Sequence, residues 1–566
     1  METTPAAPPR QTTDTSLAPP TPTAGEAGRK LYSAAAVVGL AFVISRALGL
    51  VRTIVIGARF GTSPEYAAYV AAFRIPDFIF LMVMSGAFGS AFVPVFAGFL
   101  GQGHVRKAWR LAANVLTLMV EGFFLVAILA FIFADPLMRL LAPGLFAPDV
   151  APEIPELAVR LTRILLLSPL FLGLGAAAKS LLEAHDNFAL PAFAPVTYNV
   201  AVVLGALLLA PRYGVEGLAW GVVAASAGHL LTQLPGLVRV GLRYWFLPKP
   251  VAEGVGDVGR LLGPRIIGQA AFQINFTLVV TTFATILGPA YSAALDYAYQ
   301  LMQLPHGLFA IAVSTVIFPA MARQWAVRDH AALKATLGDA IRPLLFLTLP
   351  AAAALILLAR PIVQTILQWG EFEAESTELV ATALPAFAAG LVALAIVETV
   401  TRAFYAMHDT RTPLVASLLT IGVNIAAAFA LTWGLGFGHR ALAASMSATV
   451  TVEALILLAV LRQRIGPFDP AVPRALAKSL GATAIMAAVL LLIRGRLTAV
   501  TDPAGGRSPW QFAIFLYAVL LGLGTYLTAA WYLRSRELAE LAARFGGPAR
   551  RLGALAGRVA GLARRR

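Results

Sequence analysis

Apolar runs of 18 or more residues recur from Leu31 to Trp531, and no other feature narrows the fold as much. A helix of about 20 such residues crosses the ~30 Å hydrocarbon core, where the backbone has to satisfy its own hydrogen bonds. Spans are expected at 31–58, 65–100, 106–134, 157–184, 190–210, 214–238, 258–288, 292–322, 338–368, 376–406, 411–434, 438–462, 473–495 and 509–533. That makes about fourteen, with ends placed to within about four residues. Composition agrees. The chain is 58% hydrophobic and 13% charged, where soluble domains carry about 25% charged residues, and its mean hydropathy is +0.77. The fold class is an all-α polytopic membrane protein.

The net charge of +15 is not a nucleic-acid signature, because Lys and Arg gather between apolar runs and at the carboxyl end. With the amino terminus inside, cytoplasmic loops hold Arg106, Lys107, Arg239, Arg243, Lys249, Arg323, Arg328, Lys334, Arg462 and Arg464. The opposite side carries Asp149, Glu153, Glu156, Glu371, Glu373 and Glu375. Arg494, Arg496 and Arg507 run against this rule, while the even span count supports it, so both termini are expected in the cytoplasm. Residues 1–30 lack the basic start and apolar core of a signal peptide and read as a disordered tail. Cysteine is absent, which excludes disulfides and thiol nucleophiles. Without a Gly-Lys pair there is no P-loop, so any active transport would have to draw on an ion gradient or the membrane potential.

An internal repeat is legible. His185-Asp186, Pro191 and Asn199 recur as His408-Asp409, Pro413 and Asn424. Pro76 through Val93-Pro94 resembles Pro305 through Phe318-Pro319, and Gly214 with Leu218-Ala219 is echoed by Gly438 with Leu442-Ala443. These matches lie 222 to 229 residues apart. They predict two six-helix lobes related by a pseudo-two-fold axis along the membrane normal, with a ligand site between them. The expected division is a lobe over 31–240, a cytoplasmic linker over 241–257, a second lobe over 258–464 and two further helices over 465–533. A basic tail over 534–566 follows, with Leu552, Leu555, Val559 and Leu562 on one stripe and Arg544, Arg551, Arg558 and Arg565 on another. It suits an anionic leaflet, and a tail that merely sets topology is the competing reading.

Charges inside apolar runs are the functional signal, since each costs roughly 2.5–3.5 kcal/mol at bilayer depth on insertion scales. Arg46 and Arg52 in the first span, Arg74 in the second and Arg265 in the seventh form a cationic set suited to phosphate. Arg46 and Arg52 are about 600° apart on a helix and point to different sectors. Arg74 and Arg265 lie near span ends, so snorkelling to an interface competes with a binding role. Gln269, Gln273, Asn275, Asp296 and Gln300 form a polar group that suits a sugar or, equally, helix–helix hydrogen bonding. Glu398 and Arg402 read as an i,i+4 ion pair, and Glu453 is a candidate for proton or sodium coupling. The seven histidines show no metal-ligand spacing and no catalytic constellation stands out, so neither a cofactor nor an enzyme is expected.

The phrases SRALGLVRTIVIGARFG, FRIPDF, GAFGSAFVPVF, NFALPAFAPVTYNV, LQWGEF and FYAMHDTRTP resemble the MurJ/MviN lipid II flippases of the MOP exporter superfamily. The likeness runs from about Ser33 to Arg464, and the last two spans fit by position. It implies a central cavity, a tail groove formed by the last two helices, and a place in the bacterial inner membrane. The implied activity is ATP-independent, alternating-access transfer of undecaprenyl-pyrophosphate-linked peptidoglycan precursor to the outer leaflet, beside proteins of cell-wall synthesis. The family's first-helix arginines fall on Arg46 and Arg52. Its other charged positions fall on Thr53, Ala67, Phe80, Ser85 and Gln300, while Arg265 stands where the family pattern is small and offers partial compensation. These departures leave open a flippase for another polyprenyl-linked oligosaccharide, or a non-transporting scaffold of envelope assembly.

Overall fold

The computed structural model describes the backbone of residues 24–84, 87–249, 251–500 and 509–540; side chains at 24–36, 82–91, 261–265, 267–269, 271–272 and 494–510 lie outside that description. The regular structure of the described residues is helical, with no strand among them. The first half of the chain comprises α1 (Ala24–Phe60), α2 (Pro64–Met84), α3 (Ala87–Gly101), α4 (Val105–Ile132), α5 (Ala134–Leu141), α6 (Glu153–Leu165), α7 (Ser168–Glu183), α8 (Ala189–Leu208), α9 (Ala210–Leu231) and α10 (Leu234–Arg239). The second half comprises α11 (Val255–Thr277), α12 (Ala284–Leu287), α13 (Pro289–Pro305), α14 (Ala312–Ala326), α15 (His330–Leu357), α16 (Ala359–Leu367), α17 (Ala374–Ala389), α18 (Leu391–Ala406), α19 (Arg411–Phe429) and α20 (His439–Ile465). Then come α21 (Ala471–Val500) and α22 (Pro509–Tyr532). Wider π-type turns interrupt the ladder at Leu278–Phe283, His306–Ile311 and Ala430–Gly434.

Among the described residues, 11 helices are long and apolar enough to cross a membrane, or 12 if α17 and α18, bent by 46° at Gly390, make one span. The two expected spans outside this count, 65–100 and 258–288, are those interrupted by undescribed residues. The expected total of fourteen therefore rests on the sequence. Helix α4 shows how these elements meet lipid. Its first turns bury Trp109, Leu111 and Asn114, whereas Phe124, Leu125, Ile128, Leu129, Phe131 and Ile132 are exposed. An apolar surface that continues onto the exposed face of a helix is what a hydrocarbon solvent permits.

Local geometry recurs where the sequence repeats. Helix α7 ends with the Asn187 amide on the Leu182 carbonyl, and α18 with the Asp409 amide on the Phe404 carbonyl, both at 2.9 Å. Asp186 and His408 take the left-handed position in these two turns, with φ of 57° and 60°. Such a six-to-one bond closes the orphan carbonyls of a helix end.

Helix α1 lies along α8, and α8 packs on α9. Helix α2 is surrounded by α6 and α7 from its own half and by α11 and α13 from the other, so it sits at the seam of the two halves. The last two helices pair with each other and dock on α15, where the Tyr526 hydroxyl donates to the Phe346 carbonyl at 2.6 Å.

Candidate functional site

Four charged side chains meet at the seam. Arg52 of α1, Arg74 and Asp77 of α2, and Asp296 of α13 line a cavity of about 210 Å³ with Tyr66, Tyr69, Tyr198 and Gln300. Arg74 and Asp77 reach one space because residues three apart share a helix face. Tyr66, Tyr69 and Phe73 precede them on that face, with the Tyr66 ring stacked on Tyr297 at 4.8 Å and the Tyr69 ring 5.4 Å from Phe73.

One pair of charges is internally satisfied. Arg74 is 7% exposed and donates to Asp296 at 3.0 Å and to the Thr281 hydroxyl at 2.9 Å. Its guanidinium also lies 4.9 Å from the centre of the Phe276 ring. Arg74 thus reaches across to the second half of the chain instead of extending to an interface. Asp296 further accepts from Gln300 Nε2 at 2.6 Å and from the Tyr66 hydroxyl at 3.5 Å. The Gln300 carbonyl in turn accepts from Thr53 Oγ1 at 2.8 Å.

The other pair is not satisfied. Among the described residues, neither Arg52 nor Asp77 makes an ion pair or hydrogen bond, although both line the cavity. Arg52 is therefore the cation of this site left available to an anion.

The remaining sequence candidates lie elsewhere. Arg46 does not line the cavity: its guanidinium lies over the Phe42 ring at 5.2 Å and packs against Gly307, where an added Cβ would be 2.8 Å from Arg46 Cζ. That separation follows from the different sectors of Arg46 and Arg52 on α1. The side chains of Arg265 and Gln269 lie outside the described residues. Glu453 lines a second cavity of about 440 Å³, walled by the second half and by Leu81 of α2, together with Gln273, Asn275, Glu398 and Ser417. Ser417 donates to Glu453 at 2.5 Å. The polar group of the seventh and eighth spans is thus divided, with Asp296 and Gln300 in the seam cavity and Gln273 and Asn275 in the second one. Glu398 and Arg402 are paired at 2.6 Å, as their spacing indicates.

Sequence reasoning passed over Asp77 and the three tyrosines. Asp77 stood inside the FRIPDF phrase as a charge within an apolar run. Tyr66 and Tyr69, with Phe73, carried a helical spacing that looks like core packing, and Tyr198 stood alone on another helix.

A family model described as lipid II flippase MurJ matches residues 56–502. The chain is 30% identical to lipid II flippase MurJ of Burkholderia cenocepacia over 76% of its own length and 83% of that protein's. It is 31% identical to a Haemophilus influenzae protein described as probable lipid II flippase MurJ, over 73% and 83% of the two chains. A solved structure of lipid II flippase MurJ in an inward closed conformation superposes with a TM-score of 0.71 at 25% identity, covering 87% of this chain and 97% of the other. An inward-facing multidrug resistance MATE transporter of the MOP superfamily shares the fold, with a TM-score of 0.62 at 16% identity over 76% and 98% of the chains.

Proposed function

Because this chain belongs to the lipid II flippase MurJ family, we propose that it moves lipid II across the bacterial inner membrane, from the inner to the outer leaflet, by alternating access. The observation that carries this reading is Arg52, an unpaired guanidinium in a cavity between the two halves of the chain. A planar guanidinium makes paired, charge-assisted hydrogen bonds with a diphosphate. Moving such a headgroup through bare hydrocarbon is prohibitive, so a polar cavity for the head with the tail left in lipid resolves the physical problem. In this reading residues 31–240 and 258–464 rock as two lobes about the seam, both termini are cytoplasmic, and α21 and α22 offer the surface along which the tail slides. Glu453, inside the second lobe, is the site at which a proton or sodium ion couples to the motion. The basic tail rests on the anionic inner leaflet, and proteins of cell-wall synthesis receive the product.

A second reading, a flippase for another polyprenyl-linked oligosaccharide, is favoured by the charge balance of the cavity, where Asp77 and Asp296 offset Arg52 and Arg74. Rescue of a strain depleted of its own lipid II flippase separates the two, with wild type compared against Arg52→Ala. Rescue by wild type alone supports lipid II transport through Arg52. Failure of both at normal membrane levels removes lipid II as the substrate and turns attention to other lipid-linked glycans or to a scaffold role.

A further inference from the structure

Arg74 and Asp296 pair across the seam, but Arg52 and Asp77 face the same cavity with no ion pair or hydrogen bond among the described residues. An unpaired charge removed from water is costly, and two opposite ones sharing a space normally close on each other. Here they are held apart on α1 and α2. Asp296 is already engaged by Arg74, Gln300 and Tyr66. The cavity is therefore a cradle with a cationic and an anionic point, and a ligand that satisfies it carries complementary chemistry at both.

We infer that Asp77 is a specificity-determining residue: the ligand's phosphate takes Arg52, and Asp77 accepts a hydrogen bond from a hydroxyl or amide N–H borne beside that phosphate. The inference rests on the lipid II reading and deepens it. Ionised, Asp77 only accepts hydrogen bonds, so it rewards a donor and repels phosphate oxygens. A diphosphate with a sugar attached offers donors next to its phosphates. A bare diphosphate end offers further negative charge. Asp77 thus selects lipid that carries its glycan and rejects the spent carrier.

The test measures binding of two probes, lipid II and undecaprenyl diphosphate, to the full-length protein in nanodiscs. Wild type is expected to favour lipid II. Asp77→Asn removes the charge at constant size, and the ratio of the two affinities should fall by about tenfold or more, chiefly through tighter binding of the bare diphosphate. Asp77→Glu keeps the charge and should keep the preference. Asp77→Ser, also uncharged, is read like Asp77→Asn if the amide disturbs folding. An unchanged ratio in the uncharged variants overturns the role of Asp77 while leaving lipid II binding intact. Failure of the wild type to bind either probe overturns the lipid II reading itself, and this inference with it.

Discussion

The amide of Glu371 donates to the carbonyl of Ala58 at 2.9 Å, tying the segment after α16 to the end of α1 across the two halves of the chain. Beside this bond, the Thr62 amide donates to Ser376 Oγ at 3.2 Å and the two hydroxyls meet at 2.8 Å. Gly61 and Gly370 make the approach feasible. Both lie in the left-handed region, with φ of 52° and 56°. A Cβ on Gly61 would sit 2.4 Å from the Glu371 carbonyl oxygen, and one on Gly370 would sit 2.1 Å from that of Ala58. Behind the contact, Phe372 meets Tyr297 edge-on at 5.3 Å, and Tyr297 stacks on Tyr66 of the cavity wall. A continuous run of aromatic rings therefore joins this contact to the charged site.

In the proposed alternating-access cycle, that contact opens once per turnover. The natural chain has no cysteine, so Thr62→Cys with Ser376→Cys gives a single cross-link across it. Oxidation is expected to stop lipid II transport, and reduction to restore it. Gly370→Ala should do the opposite and leave this end open, raising labelling of a cysteine placed in the cavity. Transport at the wild-type rate by the fully oxidised pair would show that the contact stays shut throughout the cycle.

Gln300 bridges Thr53 and Asp296, so its replacements should rank by what they return to those partners. Gln300→Leu removes one hydrogen bond from each, while Thr53 keeps the Gly49 carbonyl and Asp296 keeps Arg74 and Tyr66, and should lower stability by about 1–3 kcal/mol, the worth of the two bonds lost. Gln300→Arg keeps a donor for Asp296 and adds a third cation to the cavity, and should insert, fold and support growth. Thermal unfolding in detergent alongside complementation reads both effects. Loss of folding in Gln300→Arg with a stable Gln300→Leu would show that this position is packed apolar core.

Legibility in the sequence followed the physics of each feature. Span positions were readable because hydrocarbon imposes length and apolarity directly, and α4 lies within a few residues of the expected 106–134. The Glu398–Arg402 pair was readable because i,i+4 geometry is local. The grouping of Arg46 with Arg52 as one lining was not, because which sector of α1 faces the seam depends on how α8 and α13 pack against it. Asp77 stayed hidden for a related reason: its meaning comes from Arg52 on another helix and from Asp296 more than two hundred residues away. The separation of Gln273 and Asn275 from Asp296 and Gln300 likewise depends on tertiary packing.

Glu453 and Ser417 share a cavity that Arg52 does not reach. If Glu453 is the coupling site, Glu453→Gln should bind lipid II as the wild type does yet lose the response of transport to an imposed proton or sodium gradient. Ser417→Ala should weaken that response without abolishing it. A full gradient response in Glu453→Gln would exclude this carboxylate from coupling.

Asp409, in the turn between α18 and α19, gives a pH dependence whose sign follows from its partners. Its carboxylate accepts from the Thr412 hydroxyl at 2.6 Å and from the Arg411 and Thr412 amides at 2.9 and 3.0 Å, and it pairs with Arg464. Burial pushes its pKa up, but the Thr412 bonds and the Arg464 charge outweigh it and hold the group below its ordinary 3.8. A carboxyl depressed in the folded state stabilises fully above its unfolded pKa, and that stabilisation fades as pH falls through the folded value. Thermal unfolding of the wild type should therefore be insensitive to this group from about pH 7 to 5 and weaken below about pH 4. Asp409→Asn should be less stable than wild type at neutral pH, with the gap narrowing in acid. A gap that stays constant between about pH 7 and 3 would mean that the charge of the Asp409 carboxylate adds nothing to the stability of the turn.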